Sequence, residues 1–169
     1  NRIKPVSETN SAIRDIQRTI NYHRWNYRIN FNIMITESIR LRSRVEYITH
    51  EEQFNDKEDG ILLIQDFMLK PKESKFSINA RFAIFDTESY NTRIYSFEND
   101  VLYYFRIPAY YYQGARSYIN IKYQLNKSID IWLRGSIWNY SNREEIGSGY
   151  NKIEGNQKSE LRAQIRIQF

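Results

Sequence analysis

An all-β chain, folded as an antiparallel up-and-down ribbon, is what this sequence encodes, and three features carry that reading. Apolar and polar residues alternate with period two through most of its 169 residues. Short polar turns alternate with longer loops. The last nine residues, LRAQIRIQF, form one more amphipathic strand and stop on Phe169. Successive side chains of a strand point to opposite faces, so this alternation gives each strand one apolar and one polar face.

The elements follow in order. Residues 1–21 stand apart: SAIRDIQRTI reads as a linker, a short helix or an additional strand. From residue 22 to 169 the pattern is that of strands. In WNYRINFNIMI (25–35) Trp25, Tyr27, Ile29, Phe31, Ile33 and Ile35 share one parity, against Asn26, Arg28, Asn30, Asn32 and Met34. SIRLRSRVEY (38–47) sets Ile39, Leu41, Val45 and Tyr47 against Arg40, Arg42, Arg44 and Glu46. KFSINARFAI (75–84), SYINIKYQL (117–125) and SIDIWLRGSI (128–137) repeat the arrangement.

Short turns are expected at 36–38, 71–74 and 125–128, and longer loops at 50–60, 85–91, 108–114 and 141–156. Turns at one end of a meander must be separated by an even number of strands. If 91–107 were one strand, three would lie between 71–74 and 125–128. A tight turn at 97–100, built on Glu98, Asn99 and Asp100, restores the parity, because such residues favour turns. Nine strands from Tyr22 to Phe169 are therefore expected, with a tenth before them if 1–21 supplies one.

Composition narrows the class. The net charge is +5, the pI about 9.3 and the mean hydropathy −0.71. Fourteen Tyr and nine Phe argue against disorder. The absence of Cys leaves no disulfide framework and no thiolate metal site. The longest apolar runs, ILLI and VLYYF, fall far short of the ~18 residues of a membrane helix. With no initiator Met and no leader-like stretch, the chain is read as processed or as a fragment.

A soluble antiparallel sheet alternates too, and three features favour lipid over water on the apolar side. The polar faces carry a charged ladder expected to face a lumen: Arg28, Arg40, Arg42, Arg44, Glu46, Arg81, Asp130, Arg134, Arg162 and Arg166. Aromatics gather near strand ends, at Tyr103, Phe105, Tyr110, Tyr111, Tyr112, Trp138 and Tyr140, as interfacial belts do. Leu161, Ala163, Ile165, Ile167 and Phe169 alternate to the last residue, and this stretch looks like the signal that bacterial outer-membrane barrels present to their assembly machinery. In hydrocarbon an unpaired amide costs several kcal/mol, so a spanning sheet must close. The expectation is a transmembrane β-barrel, or the C-terminal 9–10 strands of a larger one, in the bacterial outer membrane. The short turns would be periplasmic and the long loops external.

Two blocks go further. FDTESYNTRIYSFENDVLYYF (85–105) and IGSGYNKIEGNQKSELRAQIRIQF (146–169) resemble the C-terminal region of a family of Bacteroidota envelope proteins. Its members carry competence-type helix-hairpin-helix repeats near the N-terminus and a predicted β-barrel after them. The resemblance runs from about Tyr22 to the end. It implies an outer-membrane barrel serving as pore, anchor or complex subunit, linked to nucleic-acid or solute uptake. Lipid or lipopolysaccharide, the assembly machinery and other envelope proteins would be its partners. It transfers no reaction and no catalytic residue, and no helix-hairpin-helix unit falls within these residues.

Other sites weigh less. His50 beside Glu51 and Glu52 is expected to be a solvated loop histidine rather than a hydrolytic base, since no spacing supplies an oriented nucleophile. Glu52, Asp56, Glu58 and Asp59 lack the fixed spacing of a calcium loop, and GSGYNKIEG is not a phosphate cradle, because no GKS or GKT follows it and no helix pattern opens after it. No catalytic residue, metal or cofactor is assigned. Lumen arginines could attract anions or a nucleic-acid backbone, but pairing with carboxylates is the stronger expectation, with Arg162 and Arg166 meeting Glu46 or Asp130. The competing architecture is a soluble sandwich or small barrel that binds a ligand or polysaccharide at a Tyr-rich edge. It requires the odd residues of 25–35 to be enclosed.

Overall fold

The computed structural model describes residues 21–52, 56–147 and 149–169. The segment read as linker, helix or strand therefore lies outside the described residues, apart from Asn21. Among the described residues eleven strands occur in chain order: β1 (Tyr22–Met34), β2 (Ile39–Glu52), β3 (Glu58–Leu69), β4 (Phe76–Thr87), β5 (Ile94–Tyr95), β6 (Ala109–Tyr110), β7 (Gln113–Gln124), β8 (Ile129–Tyr140), β9 (Glu145–Ile146), β10 (Ile153–Glu154) and β11 (Gln157–Ile167). Seven of them are long, and they form one antiparallel sheet in the order β1-β2-β3-β4-β7-β8-β11. The period-two stretches lie on these strands, because a half-buried pleated surface suits their Ile, Val, Tyr and Phe.

The register keeps one parity on one face. Arg42 faces Asp66, Asp66 faces Arg81, and Arg81 faces Tyr118. Tyr118 faces Ser136, which faces Glu160. A slip of one residue anywhere would send this polar set to the other side. At Gly114 a Cβ would stand 2.2 Å from the carbonyl oxygen of Asn139, so the close approach of β7 to β8 excludes any side chain there.

The strand count differs from the sequence expectation. Residues 91–107 do not make two spanning strands around a tight turn at 97–100. The loops expected at 85–91 and 108–114 are instead the two ends of one excursion, residues 88–112, which lies over the polar face of the sheet. Within it β5 pairs with β6, and Glu98 bridges to Arg106. The parity difficulty vanishes, since only β4 and β7 separate the turns at 71–74 and 125–128. Tyr103 (φ 64°) and Tyr112 (φ 71°) take the left-handed conformation within the excursion and at its exit into β7. That conformation is uncommon for bulky residues and marks positions fixed by their surroundings.

Among the described residues the sheet does not close. β1 and β11 are both edge strands, so the expected barrel is seen as an open seven-stranded arc. The long-loop end carries the connection between β2 and β3, the insert 88–112, and residues 141–156 with their small β9–β10 ladder. The hydrophobic core lies at this end of the polar face, where Ile48, Leu62, Ile64, Ala83, Phe85, Ile94, Tyr110 and Tyr140 pack together.

Candidate functional site

The polar face is the candidate site, and its chemistry starts from a row of paired charges contributed by the wall itself. Arg28 donates through Nε to Glu46 at 2.7 Å, and Asn26 donates to the same carboxylate. Asp66 accepts from Arg42 Nη2 at 2.6 Å and from Arg81 Nε at 2.6 Å. Asp130 is bonded by Arg166 and lies 3.4 Å from Lys122 Nζ. Arg44 bonds to the oxygen of Asn30 and to the Ser96 hydroxyl, and Arg40 is exposed near the short-turn end. The ladder residues therefore share one face, and most are ion-paired across strands. Of the two partnerships expected from sequence, Arg166–Asp130 forms, whereas Arg162 meets Asp100 and Glu160 rather than Glu46.

The centre of the wall is different. Arg116 donates through Nε and Nη2 to the two oxygens of Glu98, at 2.9 and 2.8 Å. Arg134 donates through Nη2 to Glu98 Oε2 at 2.6 Å, and the Tyr110 hydroxyl donates to Oε1 at 3.0 Å. Asp100 accepts from Arg162 Nη1 at 3.0 Å and lies 3.6 Å from Arg134 Nε. Both carboxylates belong to the insert. Further bonds tie the insert down: Arg81 to the Phe97 carbonyl at 2.7 Å, Asn120 to the Asp100 carbonyl at 2.8 Å, and Arg106 to Glu160 at 2.8 Å. Glu98, Arg116 and Arg134 are all buried. Burial alone would push the Glu98 carboxyl up, but the bond and charge of Arg116, the charge of Arg134 and the Tyr110 bond together hold it below the usual glutamate range. Burial and the adjacent Glu98 charge raise the Tyr110 phenol.

Sequence reasoning missed the central parts of this cluster. Glu98 and Asp100 read as turn residues, and Arg116 was absent from the ladder. The available signals were the even parity that Arg116 shares with Tyr118 and Asn120, and the acid–x–acid spacing of Glu98 and Asp100 inside an aromatic stretch. Asp66 stood alone as the acid of ILLIQDFML.

The aromatics expected at the membrane boundary divide. Tyr110, Trp138 and Tyr140 pack on the inward face around Phe85, with ring centroids 5.6 to 5.8 Å from it. Trp138 and Tyr140 carry the inward parity of β8, which places them away from the outward surface. Tyr103 and Phe105 are exposed on the insert. Tyr111 and Tyr112 sit at its exit, with Arg143 stacked 3.6 Å over Tyr112. The outward face instead carries Trp25, Tyr27 and Tyr47 toward the long-loop end, and Phe31, Phe76 and Tyr123 toward the short turns. Ile29, Val45, Leu63, Ile119 and Leu133 lie between these two groups and are also exposed.

The lesser candidates resolve differently. His50 is not a solvated loop residue. It is buried on the inward face, 3.0 Å from a Glu52 oxygen, with its ring tilted against that of Tyr22 at 5.1 Å between centroids. β2 runs on through it to Glu52 and β3 begins at Glu58, so the loop expected at 50–60 is shorter and His50 stands on a strand. Glu58 accepts from Ser89 and Asn91, and Glu88 accepts from the Asp59 amide. Among the described residues, no three His, Asp or Glu side chains converge so as to hold a metal ion. The odd residues of 25–35 are not enclosed: Trp25, Tyr27, Ile29, Phe31, Ile33 and Ile35 are all exposed.

Comparison with protein-family models, curated proteins and solved structures gives no match to this chain.

Proposed function

We propose that this chain is an outer-membrane β-barrel protein, or the C-terminal arc of one, that works without a catalytic centre as a pore, anchor or complex subunit. One observation carries the reading: the sheet is inside out for water. The centre of its charged face is covered by the insert, and its apolar face is bare on every long strand. Ile165 and Ile167 of β11 are 64% and 56% exposed, with no second layer of the described chain over them. Soluble monomers rarely expose so continuous an apolar surface, whereas a lipid-facing sheet needs it.

Strand length and edge chemistry support the same reading. The long strands run from 11 to 14 residues, enough to cross a hydrocarbon layer that needs ~9–11. Two open edges are untenable in lipid, because their amides and carbonyls would go unpaired. An all-antiparallel ring contains an even number of strands, so seven must be joined by an odd number of others, from the same polypeptide or another. The Bacteroidota envelope family with helix-hairpin-helix repeats remains the proposed relationship, with lipopolysaccharide outside and the barrel assembly machinery reading Leu161 to Phe169. Extraction from membranes should require detergent, and the folded protein should migrate faster on a gel before boiling than after. Ready release into buffer without detergent would overturn the proposal.

A further inference from the structure

We propose that Arg116, Arg134 and Arg162 form an anion-binding site on the inward wall. In this conformation the insert's own Glu98 and Asp100 occupy it, and the paired carboxylate or phosphate groups of a ligand take their place when the insert withdraws. The inference rests on reading the inward face as a lumen wall.

The first support is an asymmetry in how the wall is neutralised. Arg28, Arg42, Arg81 and Arg166 find their carboxylates on neighbouring long strands, in Glu46, Asp66 and Asp130. Arg116 and Arg134 do not. Among the described residues their carboxylate partners are Glu98 and Asp100 alone, both on the insert. With the insert gone, the centre of the wall would hold two neighbouring guanidiniums with no carboxylate beside them. Like charges side by side disfavour one another, so withdrawal becomes favourable when another anion fills the place, which couples ligand binding to release.

The second support is the geometry. Arg116 grips Glu98 side-on with two parallel bonds, a fork that fits carboxylate and phosphate oxygens alike. Glu98 and Asp100 stand two residues apart, so the site accommodates two anionic groups on one ligand. The third support is a spare donor: Arg134 Nη1 is buried and has no partner. Arg134 and Arg116 are also stacked on Tyr118 and Trp138, at 4.7 and 4.6 Å from the ring centres. These rings hold the guanidiniums on the wall independently of the insert.

The sequence contains no cysteine, which makes a single introduced thiol a clean reporter. Ser136 lies between Tyr118 and Glu160 in the register, both of which bind the insert, and its buried hydroxyl makes no hydrogen bond. In full-length S136C protein in detergent micelles, maleimide should react slowly. Adding E98Q and D100N should speed the reaction about tenfold by shifting the insert toward release. With the insert unaltered, millimolar pyrophosphate should also speed it several-fold over sodium chloride of equal ionic strength. Unchanged labelling in the pyrophosphate arm would overturn the anion site even if the E98Q/D100N protein failed to fold. Equal rates with and without E98Q/D100N in folded protein would overturn the insert as its occupant. Both readouts work in micelles without a sealed bilayer, so they fail separately from the extraction test of the membrane reading.

Discussion

Asp66 shows how a single carboxylate organises this wall. It is buried and takes bonds from Arg42 on one neighbouring strand and Arg81 on the other. Replacing it with Asn keeps the shape and removes the charge, leaving Arg81 buried without a counter-ion. Breaking a buried pair in this way costs about 3–5 kcal/mol. D66N should therefore lower the urea midpoint of the micelle-bound protein markedly. Glu37 and Lys72 offer the contrast, since both are exposed at the short-turn end. E37Q should leave the midpoint where it was, as exposed pairs generally contribute little. Equal effects from the two replacements would contradict the distinction between wall and turn.

Among the elements, β8 separates the membrane reading from a soluble one. Leu133 sits near mid-strand on the outward face and is 46% exposed. In water, Leu133→Arg would be neutral or would improve solubility. At the middle of a bilayer it should cost about 2–4 kcal/mol, measured as the urea-dependent folded fraction in lipid vesicles. The strand stretches of 25–35, 38–47, 75–84, 117–125, 128–137 and 161–169 were legible because alternation is a local consequence of the pleat. The insert was not. Its apolar run VLYYF, and its alternation of Tyr95 and Phe97 with Ser96 and Glu98, satisfy the same template as a strand. Glu98 and Asp100 point at the wall while Phe97 and Phe105 point away from it, so lying across a sheet and crossing a bilayer leave similar patterns.

For the molecule as a whole, the asymmetry between its two ends makes a topological prediction. An epitope placed at 142–144 should be detected on intact cells, and one placed at 72–73 only after the outer membrane is permeabilised. Detection of both on intact cells, or of neither, would contradict the orientation. Under the proposed membrane reading, the edges of β1 and β11 require strands that the described residues do not supply.

The sequence by itself determined the all-β meander, the parity that divides apolar from charged residues, and the end at which the short turns lie. Each of these depends on neighbours along one strand or on the length of a connection. Only the tertiary structure decided that 88–112 folds over the wall, that Glu98 and Asp100 complete its central arginines, and that the seven strands stay open. Those contacts join residues 18 to 62 positions apart. A carboxylate finds its arginine by where the register and the insert deliver it in space, and nothing in the local pattern records that meeting.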